Sequence, residues 1–491
     1  MANLGLEADP EPESDEWETS SEGAGASEQG ASAHTAQETP DWFGPPLAEV
    51  SPLCESADEI VLSIISTLVP PLFLEPQPGD LDALMAFSST CRRFRNISWP
   101  FLFKRICLSA PPDAHGPAFA HAIARIKRYC DDLLLREDVC RHVRALWVDV
   151  PNTTKLPPSM IVDVLNKVFV TILPHTSVLV LRNFDATPEL IDALAQASNL
   201  RILDVDDGFN GSKELAEQVQ QQDLKLREVQ VYYCSVSTSR HSSAVPFALL
   251  QGMERVERLV VRAFKDRFPA GLFPVALWSH LRILALDSGN AYNSGMISLF
   301  QEFKNVSKYQ HCPLEEVYLE IREPIDREFQ SIVACFKGHQ PLKKLNLMVL
   351  PTINPALLAD LASTLPQLEE LNLVAFASRT IVWMGDPSDY ATALAAFPKL
   401  RSFGFNGVPD VRPTPRGLSR EPMEAWLLTV QKSKTLEELI IWHHFGDTDY
   451  HGRLLRAHRS EDGDKLITHL SDERENVTFF PLRETVIEPA D

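Results

Sequence analysis

Eleven times between Val143 and Ile441 the chain writes a six-residue phrase of the form L-x-x-L-x-L, some positions being filled by residues other than leucine. The phrases begin at Val143, Thr176, Leu200, Leu226, Val256, Leu281, Leu314, Leu342, Leu368, Leu400 and Leu436, 24 to 36 residues apart. Such an interval holds one strand and one returning helix, and self-similarity on this scale is the signature of a solenoid. Side chains alternate along a strand, so the fourth and sixth positions of each phrase face one side and the third and fifth the other. Burying three aliphatic side chains yields about 1.5 to 3 kcal/mol apiece, whereas ordering a unit costs roughly 1 to 2 kcal/mol per residue. No unit can fold alone; stability must come from stacking on neighbours.

Between phrases the apolar spacing changes from two to three or four. PELIDALAQ from Pro188, ISLFQEF from Ile297, FQSIVACF from Phe329, NPALLADLASTL from Asn354 and PMEAWLLTVQ from Pro422 therefore predict amphipathic helices. Strand followed by helix, built on LRILDV, LKKLNL, LEELNL and their kin, resembles leucine-rich repeats. The asparagine that in that family follows the phrase and bonds the turn is missing: Cys234, Gly289, Phe376 and Val408 stand in its place.

The formal charge of −21 is unevenly spread. No Lys or Arg precedes Arg92 while 18 Asp and Glu do, so the first 91 residues carry −18 and the other 400 only −3. Residues 1 to 49, acidic and poor in large apolar side chains, predict a disordered tail. Eight cysteines without a C-x-x-C pair predict reduced, mostly buried thiols. The longest apolar run, from Ile60 to Leu74, is interrupted by Pro70 and Pro71 and too short to span a bilayer. With no basic region ahead of an apolar stretch, the reading is a soluble intracellular protein, cytoplasmic or nuclear.

Upstream of the repeats the pattern turns helical. Ser56 and Glu59 have capping-box spacing, Ile60, Ile64, Ile65 and Leu68 form an apolar stripe, Asp80 can cap a second helix bearing Leu81, Leu84 and Phe87, and Cys91, Phe94 and Ile97 line a third. The strings ADEIVLSIISTL and DLDALMAFSSTCRRFRNISWPFLFKRI, with Cys91-Arg92-Arg93-Phe94-Arg95 as the most specific piece, resemble an F-box over residues 50 to 108. Joined to irregular leucine-rich repeats, they resemble the fungal F-box family. The resemblance implies a Skp-type adaptor and a cullin ligase as partners, with Asp58, Glu59, Ile60, Ile64, Leu81 and Leu84 forming or supporting the adaptor-facing surface. In the sequence Ser56-Ala57 replaces the family's opening Leu-Pro, and the loop from Val69 to Gly79 is longer than usual.

Other chemistry is sparse. HHFGDTDYH carries His443, His444, Asp447, Asp449 and His451, suitable metal ligands without a standard spacing; a metal-dependent enzyme built on it is the weaker alternative. No nucleophile elbow, H-E-x-x-H pair or phosphate loop occurs. Between Arg92 and Arg144, 11 basic residues face five acidic ones, but the adjoining acidic tail would compete with phosphate there. Neither nucleic acid, a membrane nor a cofactor is expected.

The repeat positions that face away from the core supply the candidate partner-binding residues: Asp204, Asp206, Tyr232, Arg262, Tyr318, Glu320, Trp442 and His443. The expected fold is α/β, a three-helix F-box-like region followed by a leucine-rich-repeat solenoid with a curved parallel sheet. The expected segments are a tail (1–49), the F-box-like domain (50–108), a helical linker or cap (109–142), the solenoid (143–444) and a C-terminal cap and tail (445–491). The expected role is non-catalytic: a substrate-recognition subunit of a ubiquitin ligase whose concave face binds an unidentified target protein. The alternative is a repeat scaffold without a ligase.

Overall fold

The structure, a computed structural model, describes residues 57–69, 79, 81–110, 116–150, 159–206, 209, 211–222, 224, 226–232, 244–251, 255–262, 273–287, 294–308, 311–320, 326–348, 352–374, 382–383, 387–406, 435–445, 449–459, 466–470 and 477–478. The acidic tail, Ser56, Asp80, the turn residues Cys234, Gly289, Phe376 and Val408, the segment from Pro422, and Asp447 lie outside them.

Three helices come first: α1 (Asp58–Leu68), α2 (Asp82–Thr90) and α3 (Arg92–Leu102). Strands then alternate with helices: β1 (Arg105–Ser109), α4 (Gly116–Leu134), α5 (Glu137–Cys140), β2 (Ala145–Asp149), α6 (Ser159–Ile172), β3 (Val178–Arg182), α7 (Pro188–Gln196), β4 (Ile202–Val205), α8 (Lys213–Gln221), β5 (Glu228–Tyr232), α9 (Ala244–Gln251) and β6 (Arg258–Arg262). A 3-10 turn leads to β7 (Ile283–Asp287), followed by α10 (Ser294–Ser307), β8 (Glu316–Glu320), α11 (Asp326–Cys335), β9 (Lys344–Met348), β10 (Thr352–Ile353), α12 (Pro355–Thr364), β11 (Glu370–Val374), β12 (Val382–Trp383), α13 (Pro387–Ala395), β13 (Ser402–Asn406) and β14 (Glu438–Phe445). The chain closes on β15 (Asp449–Arg459), β16 (Leu466–Leu470) and β17 (Val477–Thr478).

The long sheet runs β1 through β9, then β11, β13 and β14, all parallel, and ends in the antiparallel additions β15 and β16, with β17 beside β15; β10 and β12 form a separate parallel pair. This is a leucine-rich-repeat solenoid of strand-helix units. Every one of the eleven phrases becomes a strand, and their third positions stand opposite one another from Ala145 through Val178 and Ile202 to Ser402 and Glu438. The register is fixed because the fourth and sixth positions, such as Leu203 and Val205, enter one continuous core with the helices, and a slip of one residue would expose all of them.

A twelfth phrase was hidden. Phe103, Ile106 and Leu108 hold the three apolar places of a unit whose strand, β1, pairs in the same register with β2. The proposed boundary at 108 therefore cuts through a strand, and the solenoid begins near Phe103. Phenylalanine in the first leucine position, inside a stretch that also fits the F-box ending, masked it. Two caps also differ from expectation: α1 starts after Ala57 and α2 after Leu81, neither giving a side-chain cap bond. Cys91 does cap α3, its Sγ accepting from Phe94 N at 3.4 Å.

Consecutive units are tied by a repeated backbone device. In each unit the carbonyl just before the strand accepts two amides from the next: Arg144 O takes Ser177 N and Val178 N at 2.8 and 3.0 Å, and Arg401 O takes Glu437 N and Glu438 N at 2.7 and 2.9 Å. The column of acceptors runs Lys104, Arg144, Ser177, Arg201, Arg227, Glu257, Arg282, Glu315, Lys343, Glu369 and Arg401 without a gap.

Side chains add further ties between units ahead of the strands. Gln367 Nε2 donates to His339 O at 2.7 Å, and the buried His339 ring bonds Leu314 O through Nε2 at 3.0 Å while packing edge-on against Phe303. Gly338, at φ 82°, takes a left-handed conformation that a side chain would strain and sets His339 in place. Burial, with His311 adding to it, holds the His339 imidazole below its ordinary pKa despite the opposing bond to Leu314. The folded state thus binds this proton less readily than the unfolded chain, so the stabilisation is full above about pH 6.5 and is lost as pH falls. We predict that thermal unfolding followed by circular dichroism shows acid destabilisation below about pH 6.5, at no more than about 1.4 kcal/mol per pH unit from this group. His339→Gln should flatten that slope.

Candidate functional site

Two surfaces were expected to bind: one face of the three helices, and the sheet face turned away from α4 to α13. In the helices, Val61, Ile65, Leu84 and Phe94 form the interior, with Phe87 stacked on Phe94 at a centroid distance of 4.5 Å. Leu84 is fully buried. Of the two expected roles, forming or supporting the adaptor-facing surface, its position is suited to the second, because an apolar side chain on the stripe facing two helices is drawn into their contact. Ile64 and Leu81 are half-buried, Asp58 and Glu59 exposed, and Asp58 pairs with Arg93 of α3. The apolar groups left in solvent are Ile60 (54% exposed), Leu62 (40%) and Met85 (50%). Leu62 and Met85 were not anticipated, since neither belongs to a helical stripe.

These helices continue into the first repeat. Trp99 and Phe103 meet edge to face at 4.8 Å and pack on the repeat core, and the Arg136 guanidinium lies 5.4 Å over the Trp99 ring. The cap and the solenoid therefore share packing.

On the helix-free face the third and fifth positions alternate in character along the array. Ala145, Trp147, Val178, Val180 and Ile202 make a buried apolar floor under β2 to β4, with Arg105 5.6 Å over Trp147. A charged band follows. Asp204, with no exposed surface, receives both arms of Arg182 at 2.7 and 3.0 Å, and Glu228 pairs with Arg258 at 3.1 Å, both nearly dry. Val260, Ala285 and Tyr318 form a second apolar patch. Beyond it, Lys344 pairs with Glu370 at 2.7 Å and Asn372 Nδ2 donates to Asn346 at 2.7 Å and to Glu370 at 2.8 Å.

The expectation that Asp204, Asp206, Tyr318 and Glu320 are displayed is corrected here. Tyr318 occupies the expected face but is 3% exposed. Its hydroxyl donates to Glu316 at 2.6 Å and Lys344 Nζ lies 5.5 Å above the ring. Burial and the Glu316 carboxylate push the phenol up, so it stays protonated. Asp206 accepts from Asn183 N at 3.0 Å to each oxygen. Asn183 has φ 53° and also donates through Nδ2 to Asp149 at 3.2 Å. Glu320 is 7% exposed. Neighbouring strands lie about 4.8 Å apart, so Asp204 and Asp206 find partners 22 and 23 residues away, and Tyr318 its covering Lys344 26 residues away, that a single phrase does not reveal.

Of the remaining candidates the structure describes the backbone. Tyr232 and Arg262 stand side by side at the exits of β5 and β6. Trp442 pairs with Asn406 on one side and Gly452 on the other, and His443 faces His451 across the β14–β15 hairpin. Asp447 lies outside the described residues, among which no group of three or more His, Cys, Asp or Glu is placed to hold a metal. The described cysteines form no disulfide, Cys107 being exposed and Cys91 half-buried, and burial pushes Cys130 up to about 12. No described helix is long and apolar enough to cross a membrane.

No protein-family model matches the sequence, and no curated protein matches it at a significant level. Among solved structures, the chain is similar to a TLR13–ssRNA13 complex, at 16% identity and TM-score 0.34 over 62% of this chain and 40% of that one. It is similar to the leucine-rich repeat-containing protein LegL7 from Legionella pneumophila, at 13% identity and TM-score 0.37 over 69% of this chain and 90% of that one. It is also similar to the yeast Rad7 and Elc1 complex, at 13% identity and TM-score 0.29 over 76% and 98%. No functional property transfers across such distances.

The Glu228–Arg258 pair gives a test of this site. Glu228→Ala should destabilise the protein by about 3 to 5 kcal/mol by leaving a buried guanidinium without its carboxylate, whereas Glu228→Leu with Arg258→Met should cost far less. Denaturant unfolding of the two variants and the wild type measures the difference.

Proposed function

We propose that the chain is the substrate-recruiting subunit of a cullin-based ubiquitin ligase, with α1 to α3 holding a Skp-type adaptor and the repeat sheet holding a target protein. The observation that carries this reading is the three-helix unit that keeps Ile60, Leu62 and Met85 in solvent while spending Val61, Ile65, Leu84 and Phe94 on its own interior. Apolar side chains at that exposure are suited to a partner's surface. The shared packing of Trp99, Phe103 and Arg136 would hold adaptor and target in a defined relation, and the contribution to catalysis would be proximity alone. Because Asp204, Asp206, Tyr318 and Glu320 are engaged internally, target contacts are proposed at the strand exits, with Tyr232, Arg262, Trp442 and His443 as the candidates.

One observation favours a second reading, a repeat scaffold without a ligase. A solenoid needs a helical cap on its first unit, and α3 meets that need through Trp99.

Ile60→Asp combined with Met85→Asp should abolish co-purification with a Skp-type adaptor while the circular dichroism spectrum stays that of the wild type. Leu84→Asp should instead melt the three helices, since it places a charge in their interior. Failure of the wild type to co-purify with the adaptor would leave the scaffold reading standing, and undiminished co-purification of the surface variant would overturn Ile60 and Met85 as the adaptor-facing residues.

A further inference from the structure

The residues that enter the strands form a charged row along one rim of the sheet. From Arg227 onward its sign alternates at every step: Glu257, Arg282, Glu315, Lys343, Glu369, Arg401, Glu437. Glu315 shows the consequence, lying 3.1 Å from Arg282 and 3.9 Å from Lys343. Ahead of Glu257 the alternation fails, and the row reads Lys104, Arg144, Ser177, Arg201, Arg227. Neighbouring like charges on adjacent strands repel, so this end carries an excess that the rim itself does not offset.

Three described carboxylates near this end are paired with other groups. Asp138 holds Arg136 at 2.8 Å, Glu137 faces Arg141 at 3.9 Å, and Glu228, next to Arg227, is paired with Arg258. Arg144 is held in place by carbonyl oxygens, its Nη1 donating to Arg141 O at 2.7 Å, Val143 O at 3.3 Å and His175 O at 3.2 Å. Those bonds fix the guanidinium without neutralising it. Arg201 and Arg227 are exposed.

We infer that the β1–β5 end of this rim docks an extended acidic segment of a partner polypeptide. This rests on the reading of the array as a recognition surface and adds the chemistry of what it recognises. Five strands span roughly 19 Å, which an extended chain crosses in about six residues. Acidic side chains on one side of such a segment can meet the basic groups in turn, with Arg144 already oriented. A nucleic acid suits the rim less well. Its charge continues about every 1.7 Å along a duplex, past Arg227 onto Glu257, whereas a peptide of about six residues ends within the basic stretch.

The test is fluorescence anisotropy of a labelled deca-glutamate peptide with the full chain. Saturable binding that weakens with added salt is expected. Arg201→Glu brings the row closer to alternation, so it should reduce peptide affinity at least tenfold without lowering the melting temperature. Arg201→Gln, which only removes charge, should weaken binding in the same direction. Arg401→Glu, in the alternating half, should leave affinity within about twofold. Absence of saturable binding, or equal loss in the Arg201 and Arg401 variants, would overturn the proposal. So would a single-stranded oligonucleotide of equal charge that binds at least as tightly. Retention on a Skp-type adaptor is read separately and should be unchanged in every rim variant, so the rim and the ligase reading can fail independently.

Discussion

Everything in this molecule depends on a carbonyl oxygen that accepts two amides from the next repeat. Repeated from Lys104 to Arg401, it locks each strand to its neighbour at one register. Once the register is set, leucines and their substitutes at the fourth and sixth positions all turn toward the helices and merge into one core from Ile106 to Leu436. The ordering cost of each unit is offset only jointly, by burial shared with the units on either side. The two ends are handled differently: α3 packs over the first repeat through Trp99, while β14 turns into the antiparallel strands β15 and β16.

The same register governs the helix-free face. It places Glu228 beside Arg258, Glu316 beside Lys344 and Lys344 beside Glu370, so charges that look like a display in one dimension become mutual partners in two. Buried ion pairs such as Glu228–Arg258 add little net stability and penalise misalignment heavily. Their effect is to reinforce register.

Legibility in the sequence followed the reach of each interaction. The eleven strands and the helices α7, α10, α11 and α12 could be read because period-two and period-three-to-four spacing are local, and Pro188 and Asn354 mark their starts closely. The strand at Arg105 escaped because Phe103 replaces leucine and the same residues fit another motif. The caps expected at Ser56 and Asp80 fall one residue later, at Ala57 and Leu81, because these helices start without any side-chain cap bond to mark the position. Tyr318 and Asp204 were placed on the correct face with the wrong exposure, since what covers them comes from neighbouring strands 22 or more residues away. Writing the phrases in a column would have exposed the alternating charges at the third position and along the rim.

Native-state hydrogen exchange tests the single continuous ladder most directly. Strand amides that donate across repeats, those of Val178, Ile202, Glu228, Ile283, Glu370 and Ser402, should all exchange slowly, with protection comparable from β3 to β13. Rapid exchange at any of these inner positions, on the timescale of the connecting loops, would contradict an unbroken in-register sheet.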